Sequence, residues 1–159
     1  MKKMLGDEYE AFIARYEKPK FQSLRLNPLK GDSQDFFEKN PFNLKKVPWT
    51  INGYYYSEED FPGKHPYHEA GVYYIQEPSA MAPAEYLEAK PGERILDLCA
   101  APGGKSTQIA CSMQGKGLIV CNEIHPARAK ILSENVERMG VRNAIVTNET
   151  PQRLADHFE

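Results

Sequence analysis

A chain of 159 residues that is 41% hydrophobic holds one domain, or one small domain and part of another. No apolar run approaches the roughly 20 residues of a membrane helix, and the basic start Met1-Lys2-Lys3 leads into no signal-peptide core. A net charge of −2 argues against a general nucleic-acid binder, and three cysteines without zinc spacing read as reduced thiols of a cytoplasmic protein.

Leu5, Tyr9, Phe12, Ile13 and Tyr16 recur at helical spacing and predict an amphipathic first helix that ends before Pro19, its aromatic stripe turned to the core. Residues 21–27 predict a strand with Leu24 and Leu26 on one face and Arg25 on the other. Ser33 is placed to cap a short helix carrying Phe36 and Phe37, which Pro41 ends. Residues 47–49 and 53–56 suggest short strands around a turn at Asn52-Gly53. Residues 57–71 are polar and broken by Pro62, Gly63, Pro66 and Gly71, so a loop and a domain boundary are expected there. The mixed order of elements over residues 1–70 predicts a small α+β domain. His65, His68 and Glu69 lie close together, but they lack a further spaced ligand and no metal site is expected.

The second unit, residues 71–159, opens on a brief strand at 72–75. A helix capped by Ser79 follows to about Ala89, with Pro83 near its first turn. Ile95, Leu96 and Leu98 form the apolar run of a parallel strand covered on both faces. A turn of small residues and a helix over 105–113 come next. Residues 117–123 predict a second strand, ending in Glu123. Pro126 opens a helix with Ile131, Leu132, Val136 and Met139 as its stripe and Gly140 as its end. A third strand at 143–147 leads to a helix through Leu154 and Phe158. Strand–helix–strand–helix–strand–helix is half of a doubly wound parallel sheet, so the fold class is α/β.

The turn organises this unit. Ala100, Ala101, Gly103 and Gly104 remove side-chain bulk and Pro102 fixes a dihedral, while the following helix aims free N–H groups at whatever occupies the turn. Gly-Gly-Lys-Ser-Thr suggests the phosphate loop of an ATPase, but that loop needs glycine where Cys99 stands. The alternative is a methyltransferase loop, with the acid at the end of the next strand, Glu123, on the ribose hydroxyls. The plain alternative to both is a turn of any doubly wound protein.

Asp97-Leu98-Cys99-Ala100-Ala101-Pro102-Gly103-Gly104-Lys105 resembles the cofactor motif of the Nol/Nop/Sun family of RNA cytosine-5 methyltransferases. The segments Tyr74-Ile75-Gln76-Glu77-Pro78-Ser79-Ala80-Met81, Lys64-His65-Pro66-Tyr67-His68 and Leu5-Gly6-Asp7-Glu8-Tyr9 resemble its bacterial RsmF-type branch, which methylates ribosomal RNA. The resemblance implies a partial Rossmann-like S-adenosylmethionine-dependent methyltransferase domain, its first three parallel strands, preceded by an RNA-contacting domain. It implies that Cys99, Ala100, Ala101, Pro102, Gly103, Gly104 and Lys105 hold the methionine part of S-adenosylmethionine. Glu123 would take the ribose, and Glu149 or its neighbour Thr150 would stand beside the adenine. Asp97 would orient the cofactor's amino group or brace the loop, and Arg128 would pair with Glu123 or brace the loop.

Family chemistry adds a cysteine thiolate to carbon six of cytosine, so that carbon five attacks the methyl group. The motifs carrying that cysteine do not occur in this sequence. Cys99, Cys111 and Cys121 lie in the turn, a helix and a strand, and none is assigned a catalytic role. The expected partner is ribosomal RNA of the small subunit. Between Arg15 and Lys30 the basic residues Arg15, Lys18, Lys20, Arg25 and Lys30 oppose only Glu17, with Tyr16 and Phe21 interleaved. Lys18, Lys20 and Arg25 are the candidate RNA contacts, against the alternative of a solvated surface. A non-catalytic RNA- or partner-binding module is the rival function. With no fourth strand beside residues 94–99, the sheet edge is expected to pair with a second copy, unless further residues cover it or the chain is poorly soluble.

Overall fold

The computed structural model describes residues 1–158. Two sheets form. The first is antiparallel, in the order β2-β3-β1-β4, from β1 (Ser23–Leu26), β2 (Lys45–Lys46), β3 (Gly53–Tyr55) and β4 (Tyr73–Ile75). The second is parallel, in the order β5-β6-β7, from β5 (Arg94–Asp97), β6 (Leu118–Asn122) and β7 (Ala144–Thr147). The strand expected at 72–75 forms, and it pairs with β1 in the antiparallel sheet.

The N-terminal segment departs from the amphipathic helix. It is broken into α1 (Lys2–Leu5), a 3-10 turn, α2 (Tyr9–Ala14) and a second 3-10 turn, and none of its residues is buried. Gly6, at a φ of 51°, interrupts the helix, and the aromatic stripe stays largely in solvent. Asp32, not Ser33, caps α3 (Ser33–Lys39), by accepting the Gln34 N–H. Residues 47–49 are not a strand; β2 lies earlier, and the chain turns over residues 47–52 into β3. The loop at 57–71 contains α4 (Pro66–Glu69), whose first turn His65 caps by accepting the Tyr67 N–H.

One face of the antiparallel sheet carries Leu24, Leu26 and Tyr73 against Phe36 and Phe42. Its other face, with Arg25 and Tyr74, meets the second unit. There α5 (Pro78–Leu87) packs on α6 (Gly104–Met113). Pro78 opens α5 and Pro83 lies inside it, while Ser79 donates to Glu77 instead of capping the helix. The units are stitched by Asn27, whose side chain donates to the Gly71 and Met139 carbonyls at 2.8 Å each.

In the parallel sheet, α6 and α7 (Pro126–Arg138) bring Ile109, Met113, Leu132 and Val136 onto Ile119 and Cys121 of β6. Gly140 follows α7 at a φ of 71°, a conformation glycine adopts without strain. After β7, α8 (Pro151–Ala155) buries Leu154. The expectation that β5 is covered on both faces is not met. Leu96 is 50% exposed and Leu98 41%, and β5 is the last strand of its sheet among the described residues. No helix among the described residues is long and apolar enough to cross a membrane.

Candidate cofactor site

The carboxyl ends of the three parallel strands converge on residues 97–104. Asp97 closes β5, and its carboxylate accepts the Ser106 hydroxyl at 2.7 Å and the Cys99 N–H at 3.2 Å. Asp97 thus braces the turn from both sides. The Ala100 N–H donates to the Asn122 carbonyl of β6, and the Gly103 N–H returns to the Ala100 carbonyl.

The carbonyls of the turn are tied away from the front of the site. Arg128 donates to Ala101 O at 2.9 Å, Asn135 to Pro102 O at 2.8 Å and Thr107 to Gly103 O at 2.7 Å. The N–H groups of Gly104, Lys105 and Ser106, in the first turn of α6, have no carbonyl one turn earlier to bond. The loop therefore presents donors to an anionic group, at the positive end of a helix.

The glycines also face neighbouring elements. A Cβ on Gly103 would meet Leu132 Cδ1 at 3.3 Å, and one on Gly104 would meet Tyr74 and Gln76 at 3.4 Å. Their missing side chains let these neighbouring elements close in behind the loop. Gly103 also has a φ of 112°, which a β-branched residue does not tolerate. Lys105 is exposed, and with Asp97 and Leu98 it borders a hollow of about 320 Å³.

Glu123 follows β6 and is only 3% exposed. One carboxylate oxygen accepts the His125 N–H at 3.1 Å; the other pairs with Arg128 at 2.9 Å. Arg128 performs both roles open to it in the sequence, spanning Ala101 and Glu123. Glu149 pairs with Arg153 at 3.1 Å, whereas the Thr150 hydroxyl caps α8 by accepting the Arg153 N–H.

Two contributors escaped the sequence reading. Asn122, buried at the end of β6, donates to the Leu98 and Glu149 carbonyls and accepts from Thr147 Oγ1 and the Glu149 N–H. It ties the ends of all three strands together. Its one legible signal is a polar residue closing an apolar run.

Arg25 is the second, and it corrects the RNA-contact assignment. It is 1% exposed, so it offers no charge to a phosphate backbone. Its Nε donates to Gln76 Oε1 at 3.0 Å, and its Nη2 to Thr107 Oγ1 at 2.8 Å and Gly104 O at 3.3 Å. Burial pulls the guanidinium below its ordinary pKa, while Cys111, Tyr74 and Glu85 push it back. Alternation assigned Arg25 to the polar face of β1, but α6 covers that face. Lys18 and Lys20 remain exposed.

Burial pushes the Cys111 thiol up, despite Arg25, and lifts Cys121 to about 11. Neither is disposed to become a thiolate nucleophile. Cys99 is exposed within the turn.

Two family models cover nearly the whole chain. Residues 1–78 match the N-terminal domain of 16S rRNA methyltransferase RsmF, and residues 84–158 match 16S rRNA methyltransferase RsmB/F. The chain belongs to the RsmB/F family of 16S rRNA methyltransferases. It is 39% identical over 147 residues to a ribosomal RNA small subunit methyltransferase F from Vibrio parahaemolyticus, covering 87% of this chain and 31% of that one. The counterpart from an Enterobacter species is 39% identical over 149 residues, with 88% and 31% covered. The chain thus spans 31% of the length of these RsmF relatives.

Among solved structures, a methyltransferase homologue from Pyrococcus horikoshii superposes with a TM-score of 0.86 at 33% identity, over 95% of this chain and 51% of that one. NSun6 from the same organism, determined with SFG, gives 0.82 at 19% identity, over 98% and 65%, and shows the fold alone. The α/β reading and the Rossmann-like methyltransferase half hold for this RsmB/F chain.

Proposed function

We propose that this chain is the S-adenosylmethionine-binding and RNA-contacting part of an enzyme that methylates carbon five of cytosine in 16S ribosomal RNA. The observation that carries the reading is the braced turn with its free N–H groups beside the buried carboxylate of Glu123. The N–H groups suit the carboxylate of a bound amino acid, and an acid ending the neighbouring strand suits two ribose hydroxyls. Bound there, S-adenosylmethionine supplies the methyl group.

Each Glu123 oxygen keeps a lone pair beyond its present partner, so ribose hydroxyls are accepted once the half-exposed Arg128 side chain swings outward. Glu149, paired with Arg153, or Thr150, which caps α8, stands on the adenine side. Residues 99–105 hold the methionine part. Chemistry at carbon five requires a cysteine adduct at carbon six and a base. None of the three cysteines is placed for it, so this chain binds and positions without itself supplying the nucleophile.

Equilibrium dialysis with labelled S-adenosylmethionine tests the site. Glu123→Ala is expected to weaken binding about 10- to 150-fold, from the loss of roughly 1.5–3 kcal/mol of charge-assisted hydrogen bonding. Unchanged affinity in a folded variant removes Glu123 from the ribose.

We also propose that a preparation of these 159 residues self-associates through the outer edge of β5. That edge carries unpaired backbone groups beside the exposed Leu96 and Leu98. Sedimentation should show a mass that rises with concentration. A monomer at every concentration contradicts this.

A further inference from the structure

We infer that a groove on the N-terminal unit is a stacking site for unpaired RNA bases. The inference rests on the RNA reading above and places the contact on particular rings. The groove has a volume of about 560 Å³ and runs between the N-terminal helical segment, β3 and the start of α5. Tyr16, Phe21 and Trp49 line it and are exposed. None belongs to the buried core, so the fold does not account for so much aromatic surface in one place.

The rings are held in place by their neighbours. Trp49 donates its indole N–H to the Pro78 carbonyl at 3.0 Å, fixing the ring by its edge. Phe21 packs against Tyr55 with centroids 5.5 Å apart, and the Arg15 guanidinium lies 5.0 Å over the Phe21 ring. Arg15, Lys18 and Lys20 line the same groove. The acids nearby are Glu17 in the chain, Glu58 beside the adjoining hollow, and Glu77, which accepts the Ser79 hydroxyl.

Aromatic faces interleaved with cations suit a single-stranded nucleic acid: rings stack on bases of any sequence and cations follow the phosphates. A duplex has its bases already stacked and offers the rings nothing. An extended RNA strand with splayed bases is therefore the occupant the groove fits.

Trp49 is the chain's only tryptophan, so its fluorescence reports on this groove alone. The experiment titrates the 159-residue chain, at low protein concentration, with a short unstructured oligocytidylate, an RNA duplex of similar charge, and inorganic polyphosphate. Binding is followed in parallel by anisotropy of labelled RNA. The single strand should quench Trp49 and the other two should not. Tyr16→Ala and Phe21→Ala, both at exposed positions, should each weaken single-strand binding about 5- to 150-fold. Changing Lys18 and Lys20 together to Ala should make the salt slope shallower by about 1.4, at roughly 0.7 per phosphate contact. RNA binding with unchanged Trp49 fluorescence, or with Tyr16→Ala and Phe21→Ala both within twofold of the parent, overturns the groove and leaves the RNA reading standing. No RNA binding by either method overturns both.

Discussion

Arg25→Ala should lower the stability of the chain by about 3–5 kcal/mol. The change leaves a cavity between β1 and α6 and strands the Gln76 Oε1 that the guanidinium satisfies, while Gly104 O keeps the Thr107 hydroxyl. Thr107 Oγ1 also loses its donor, although it keeps its own bond to Gly103 O. Arg25→Met should cost less, because it refills part of the space and removes the expense of burying a charge. Denaturant unfolding followed by circular dichroism measures both. A loss under about 1 kcal/mol for Arg25→Ala would mean that the network is slack and that β1 does not hold α6 in place.

Gly103→Val should be nearly as damaging, and should also abolish cofactor binding. Valine at a φ of 112° is strained, and its Cβ would press on Leu132 of α7 while touching Asn135. Strain and overpacking together suggest roughly 2–5 kcal/mol. Relief of that pressure moves the turn, and with it the N–H groups of α6. Thermal unfolding and dialysis with labelled S-adenosylmethionine should both register the change. A variant with unaltered melting temperature and affinity would show that the turn has slack that its contacts do not suggest.

The parallel half was legible because its punctuation is local. Apolar runs end at Glu123 and Thr147, Pro126 starts a helix and Gly140 ends one, and each rule acts within a few residues. What failed was non-local. Strand alternation put Arg25 opposite Leu24 correctly, but it says nothing of what lies beyond that face. Only the packing of α6 on β1 turns a candidate surface cation into a buried one. The exposure of Leu96 follows from the same kind of fact: an apolar run marks a strand fit for burial, not the presence of a covering layer. The stripe of Tyr9, Phe12 and Tyr16 has helical period, yet among the described residues no element buries it.

At the site, the need for glycine at 103 was visible, but its contact with Leu132 and Asn135 was not, since they are some thirty residues away in sequence. Asn122 illustrates the limit most plainly. One polar residue at the end of an apolar run gives no hint that it links Leu98, Thr147 and Glu149.

Calorimetry of the unaltered chain, titrated in turn with S-adenosylhomocysteine and with ATP, tests the cofactor assignment most directly. The account predicts saturable binding of S-adenosylhomocysteine at one site per chain and none of ATP. Binding of ATP without S-adenosylhomocysteine would contradict it.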